Sequence, residues 1–192
     1  MKNETKQFLL SHPTAEQILI IIAYLVLTIA AAGLFGAIHD QISYTVSPEY
    51  YTQFKFYQFN LHNEAIPERI RAAQVGFLAS WWMGIPLGLL TCLAGFIHKT
   101  PALMRRALLW SLPVIIAFVL AVSLCGLVYG FIKTAHLDMR DFNNWIIPHG
   151  VINIRNFLCV GTMHEAAYFG GALSITAAWT FHFIYRWWYL KK

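Results

Sequence analysis

The chain has 192 residues, of which 58% are hydrophobic and only 12% are charged. Because soluble domains are about half apolar and about 25% charged, this composition excludes an ordinary soluble globule, and the low charge also excludes a disordered chain. The formal net charge of +5 does not indicate nucleic acid as a partner, since the sequence has no basic stripe with interleaved aromatic residues.

Four apolar segments follow one another along the chain, and each is long enough to cross a bilayer as a helix. A hydrocarbon core of about 30 Å needs about 20 helical residues, and a helix satisfies its own backbone hydrogen bonds in lipid. The sequence therefore predicts an all-α fold, a polytopic integral membrane four-helix bundle that forms one transmembrane domain. The predicted spans are residues 17–38, 73–97, 107–131 and 166–185.

The first apolar segment has an alternative interpretation as a cleaved signal peptide, because Ala30, Ala31 and Ala32 resemble a cleavage site. It is longer than the apolar region of a signal peptide, and the segment before it contains Glu4 and Glu16. We therefore expect it to be retained as the first span.

The positive charges predict the orientation of the bundle. Most cations near the spans lie in the two ends of the chain and in the short second connection, and cytoplasmic segments are enriched in Lys and Arg. We therefore expect cytoplasmic termini, extracytoplasmic loops at residues 40–72 and 132–165, and a location in the bacterial cytoplasmic (inner) membrane. The cations on the predicted cytoplasmic side are Lys2, Lys6, Lys99, Arg105, Arg106, Arg186, Lys191 and Lys192. The expected partners are membrane lipids, with a second copy of the chain or a partner membrane subunit as further candidates.

Both predicted extracytoplasmic loops contain signals for local structure. Ser47, Pro48 and Glu49 form an N-cap, a first-turn proline and a first-turn acid, so they predict a short helix through the aromatic residues that follow. Pro148 and Gly150 predict a turn in the second loop. We expect short interfacial elements in both loops.

The histidines and carboxylates carry the chemical signal. His39 and Asp40 close the first predicted span, and His164 and Glu165 open the fourth, so two His-acid pairs lie at a similar depth on different helices. Imidazole and carboxylate together bind Zn, Cu, Fe or Mn, and ionisable groups near hydrocarbon usually face the bundle interior. The sequence therefore predicts a transition-metal site at the extracytoplasmic end. His149 is a further candidate ligand, and Glu68 and Glu49 are candidate catalytic or proton-accepting groups.

Three other interpretations are open at this point. The same polar residues could form a structural hydrogen-bond network, because no spacing here is as specific as a known metal-binding motif. The pairs His39 with His164 and His98 with His182 suggest a carrier of haem b as a second possibility. A channel, transporter component or non-catalytic subunit is the third. The sequence predicts redox or hydrolytic chemistry on a small or lipid-soluble substrate, and it leaves open whether the protein is an enzyme.

Overall fold

A computed structural model describes residues 13–191, and this range consists of helices and turns without a strand. The helices, in chain order, are α1 (Ala15–Val46), α2 (Pro48–Tyr50), α3 (Phe56–Gln58), α4 (Glu68–Ser80), α5 (Gly84–Gly95), α6 (Pro101–Lys133) and α7 (Ile154–Leu190). A π-helical turn, Tyr51–Lys55, joins α2 to α3, and short 3₁₀ turns occur at Trp81–Met83 and Met139–Phe142. Lys2, Lys6 and Lys192, which the orientation argument uses, lie outside the described residues.

Three segments of the described chain are long and apolar enough to cross a membrane. They are Ala15–Val46, Glu68–Gly95 and Pro101–Lys133. Large apolar side chains on the outside of α1, such as Leu19 and Ile38, are about two-thirds exposed, as expected for a surface that faces lipid. The remaining long helix, α7, does not belong to this set, so the fourth span stays a prediction.

The helices extend beyond the apolar segments from which they are predicted. The first continues through Val46 and the last begins at Ile154, so the two long connections are residues 47–67 and 134–153. The apolar runs mark only the part of each helix without polar residues. Polar groups such as Asp40 are helical as well. As a result, the predicted site residues on α1 and α7 lie within helices and not in loops.

The long helices pack in antiparallel pairs through close backbone contacts. A Cβ atom at Gly36 of α1 would lie 2.1 Å from the carbonyl oxygen of Gly76 on α4. The two backbones can therefore be this close only because both positions are glycine. On the other pair, a Cβ at Gly126 of α6 would lie 2.3 Å from the Cβ of Ala166 on α7. The four long segments therefore approach closely enough to enclose polar groups between them.

The first connection folds back onto the bundle. Ser47 caps α2 by accepting a hydrogen bond from the backbone N–H of Tyr50, as the sequence predicts. Tyr50, Tyr51 and Phe56 are buried and pack in one core cluster with Phe157 of α7. This segment covers one end of the packed long helices α1 and α7, and its predicted interfacial position stays a prediction.

Candidate metal centre

Three of the predicted ligands converge between α1 and α7. His39, Asp40 and His164 each offer a ligand atom, and these atoms lie within 4.8 Å of one another. His39 and Asp40 are 4% and 2% exposed, and the side chain of His164 is 14% exposed. These three residues are called the His/Asp cluster below. At about 1.5 Å per residue, it lies about 10 Å inside the end of α1 and about 15 Å inside the start of α7.

The distances in the His/Asp cluster suit a transition-metal ion. Nδ1 of His39 lies 3.1 Å from Oδ1 of Asp40, and Nε2 of His164 lies 3.8 Å from the same oxygen. Ligands about 2.1 Å from one metal are about 3.4 Å apart in a tetrahedral site. The two observed distances lie on either side of that value, so an ion would need only small side-chain movements.

Ser123 of α6 orients the first of these imidazoles. Its hydroxyl donates to the carbonyl oxygen of Met163, and its oxygen lies 2.7 Å from Nε2 of His39. The direction of the hydrogen bond between Ser123 and Nε2 depends on the imidazole tautomer, and the tautomer that suits metal binding at Nδ1 has its proton on Nε2, which donates to Ser123. In that tautomer the lone pair on Nδ1 of His39 faces a carboxylate oxygen, and two acceptors at that distance require a shared cation.

The second carboxylate oxygen of Asp40 strengthens this requirement. Oδ2 of Asp40 is fully buried and has no hydrogen-bond partner. Burial of an unpaired carboxylate oxygen costs free energy, and buried charges in proteins are usually paired or bound to metal. A cation held by the carboxylate would satisfy this oxygen.

Tyr51 covers the cluster from the first connection. Its hydroxyl lies 3.4 Å from Nε2 of His164 and 2.5 Å from Oγ of Ser43. Burial, followed by the negative charge of Asp40, raises the pKa of Tyr51, so the phenol keeps its proton. The π-helical turn that begins at Tyr51 widens the backbone at this point, and such turns are frequent at functional sites. Tyr51 is therefore a neutral hydrogen-bond donor or acceptor beside the ligand nitrogen.

Lys55, in the same π-helical turn, interacts with the cluster through the charge of Asp40. Burial lowers the pKa of Lys55, while the charge of Asp40 opposes this change. Its ammonium group donates to Oε1 of Gln58 and lies 4.7 Å from the ring centre of Phe54. Lys55 thus adds positive charge near the covered end of the site without touching the ligand atoms.

The other predicted site residues lie elsewhere. Glu165 is exposed, because adjacent helical residues differ by about 100° in direction, and His149 is exposed in the second connection. Glu68 accepts a hydrogen bond from Tyr44, and Glu49 accepts from the backbone N–H groups of Ile152 and Asn153. The structure does not bring any of these three glutamates, or His149, into the His/Asp cluster.

Two residues of the site are absent from the sequence-based prediction. Ser123 lies in an uninterrupted apolar segment, where a single serine gives no signal for a role. Tyr51 belongs to an aromatic run in which nothing distinguishes one ring from another. Only the packing of α6 onto α1, and of the first connection onto α7, shows that these hydroxyls reach the imidazoles.

The second histidine pair lies near the opposite end of α7, between His182 and His98, which follows α5. Nε2 of His98 and Nδ1 of His182 are 3.0 Å apart and share a hydrogen bond. Axial ligation of haem by two histidines places the macrocycle between their rings. The direct hydrogen bond occupies that space, so this arrangement gives no support to haem.

An apolar cavity of about 90 Å³ adjoins the His/Asp cluster. It is bounded by α1, α4, α5, α6 and α7, and its wall includes His39, Asp40 and His164. The open side of the three-ligand set therefore faces a space that could receive a substrate.

Comparisons of the chain with protein-family models, with curated proteins and with solved structures find no match.

Proposed function

We propose that this chain is an integral membrane protein whose His/Asp cluster binds one transition-metal ion and uses it for redox or hydrolytic chemistry on a small or lipid-soluble substrate. The observation that carries the proposal is the convergence of two imidazole nitrogens on a buried carboxylate with an unpaired oxygen. Structural metal sites are usually closed by four protein ligands, whereas catalytic sites keep a position open. Three protein ligands beside a cavity favour the catalytic class.

The donor set is compatible with Zn, Cu, Fe or Mn, and two histidines with one carboxylate are typical of open Fe(II) and Zn sites. A bound ion of this kind polarises a substrate oxygen or activates a water molecule. The residues of the chain have separate tasks. Ser123 orients His39, the buried helices exclude bulk water, and Tyr51 holds a proton next to Nε2 of His164.

Elemental analysis of the detergent-purified protein tests the proposal. We expect about one transition-metal ion per chain in the wild type, or after incubation of the purified protein with Zn²⁺, Mn²⁺, Fe²⁺ or Cu²⁺. Asp40→Asn and His164→Ala should each reduce the bound metal by at least tenfold, because each removes one of three ligands. An absorption spectrum of the same sample tests the haem alternative through the Soret band.

Glu165→Gln and His149→Ala are matched controls, since both residues are exposed and outside the cluster. They should leave the metal content unchanged. The proposal is wrong if the folded wild type binds none of these ions, or if Asp40→Asn and His164→Ala bind metal as well as the controls do.

We further propose the bacterial cytoplasmic membrane as the location, with four spans and both ends of the chain in the cytoplasm. The support is the distribution of Lys and Arg and the packing of α7 along α6. Membrane lipids are the expected partners, together with a second copy of the chain or another membrane subunit. Reporter fusions in the connections 47–67 and 134–153 test the orientation, and both should report the extracytoplasmic side.

A further inference from the structure

The size of the cavity beside the His/Asp cluster limits what it can hold. Its volume is about 90 Å³. Pockets for drug-sized ligands have about 300 to 1,000 Å³, and an apolar cavity of about 150 Å³ stays dry and binds benzene or xenon. The cavity therefore suits a molecule smaller than benzene, with only a few non-hydrogen atoms.

The wall of the cavity is mainly hydrocarbon. It includes the aliphatic side chains of Leu87, Ile115 and Val119, and small side chains such as Ala31 and Ala167 leave the space open. Burial of apolar ligand surface is favourable, whereas a polar group placed here would lose hydrogen bonds to water without replacement. The wall therefore selects an apolar ligand.

Three side-chain hydroxyl groups occur among the described residues of this wall, on Thr28, Ser80 and Tyr168. The hydroxyls of Thr28 and Tyr168 already donate to backbone carbonyl oxygens. A buried water molecule needs about two to four polar partners, and the ester, amide or phosphate group of a hydrolytic substrate needs partners as well. Ser80 alone does not supply them, so the wall does not suit a hydrolytic substrate.

The ligand atoms of the His/Asp cluster form the polar part of the wall. Tyr51, which covers the cluster from the first connection, does not line the cavity, so the cavity meets the ligands on a different side. Two histidines and one carboxylate with open positions are typical of the Fe(II) sites that use dioxygen. Dioxygen is apolar and has two atoms, so it meets the limits that both the volume and the wall impose.

From these observations we infer that the cavity binds dioxygen, one molecule at a time, and holds it against the open side of the metal centre. The inference rests on the proposed function and specifies it, because it names the ligand and selects redox over hydrolytic chemistry. Dioxygen lies between α1, α6 and α7, in contact with apolar side chains and next to the ligand atoms of His39, Asp40 and His164.

Xenon tests the cavity without any metal, because it occupies small apolar cavities in proteins. In crystals of the metal-free protein under xenon pressure, we expect one xenon atom bounded by Ala31, Val119 and Ala167. Ala167→Leu fills the cavity one helical turn from His164 and should abolish this site. Ala172 lies on the same helix but is exposed and outside the wall, so Ala172→Leu is the matched control and should retain the xenon.

Nitric oxide tests the access of a diatomic gas to the metal. It is similar in size to dioxygen, and its complex with Fe²⁺ has a characteristic electron paramagnetic resonance signal. In Fe²⁺-loaded protein without oxygen, Ala167→Leu should weaken nitric oxide binding at least tenfold at unchanged iron content, and Ala172→Leu should bind as the wild type does. If Ala167→Leu does not fold, Ala167→Val should still bind nitric oxide more weakly than Ala172→Val.

The two measurements separate the inference from the proposed function. A wild-type cavity without xenon overturns the inference and leaves the metal centre standing. Nitric oxide that binds Ala167→Leu as tightly as Ala172→Leu also overturns it. A protein that takes up xenon in the cavity but binds no metal retains the gas site and overturns the proposed function.

Discussion

Replacement of Ser123 by alanine tests the tautomer assignment on which the site depends. Ser123 is fully buried, and its oxygen lies 2.7 Å from Nε2 of His39. Without this acceptor, the imidazole proton can move to Nδ1 and donate to Asp40, 3.1 Å away. A metal ion would then have to displace this proton from its own ligand atom.

The expected loss follows from the role of hydrogen bonds behind metal ligands. Removal of such a partner typically lowers metal affinity by about 10 to 100-fold, which corresponds to about 1.4 to 2.7 kcal/mol. Isothermal titration of the metal-free protein with Zn²⁺ measures this change directly. Ser123→Ala should show the loss while keeping a stoichiometry of about one ion per chain.

Ser111→Ala is the matched control on the same helix. Ser111 is also fully buried, and its hydroxyl pairs with that of Tyr24 at 3.0 Å. Each variant loses two buried hydrogen bonds, and each bond contributes about 1 kcal/mol to folding stability. Ser111 lies about 18 Å from Ser123 along α6, so its replacement should not change metal affinity. Equal affinities of the two variants would refute the assignment of the Nε2 proton and the role given to Ser123.

The remaining predictions concern stability in detergent. Glu49→Gln should lower the free energy of unfolding by about 1 kcal/mol, because the carboxylate accepts two backbone N–H groups at the start of α7; an unchanged melting temperature would contradict this role. Gly36→Ala should lower the free energy of unfolding by about 1 to 3 kcal/mol, because its Cβ would overlap the carbonyl oxygen of Gly76. Gly171→Ala should have little effect, because its Cβ would meet only the end of the Met83 side chain. Similar changes of melting temperature in both variants would count against the close packing of α1 and α4. Burial, followed by the charge of Arg186, lowers the pKa of His98 to about 4, so the unfolded state takes up a proton first as the pH falls. Stability should therefore decrease as the pH falls from 6.5 toward 4, and His98→Gln should flatten that part of the melting-temperature profile.

Composition and apolar length account for most of what the sequence could predict about the fold. Helices at all four apolar segments are observed, and three of the segments have the length and hydropathy of membrane spans. The ends of the helices were less predictable, because apolar length does not distinguish a loop from a polar turn of helix. Thus α1 continues past Asp40 through Val46. The burial of Tyr51 in the core depends on contacts with α1 and α7, which no local pattern shows.

The candidate site was predictable in part for a similar reason. His39, Asp40 and His164 are ionisable residues beside apolar segments, and such residues usually face the interior of a bundle. Glu165 carries the same signal, yet it is exposed because it follows His164 by a third of a turn. A pattern of residue types identifies the depth of a site, while the direction of each side chain depends on how the helix is rotated against its neighbours.

A proton and a metal ion are the two cations that could lie between the imidazoles and Asp40, and the geometry favours the metal. A proton shared by Oδ1 of Asp40 and Nδ1 of His39 would satisfy that pair of atoms. It would leave Oδ2 of Asp40 buried without a partner and would not involve Nε2 of His164, 3.8 Å from Oδ1. An unpaired buried oxygen costs about 1 to 3 kcal/mol. One divalent ion can engage the carboxylate and both imidazoles together, which is why metal content is the decisive measurement.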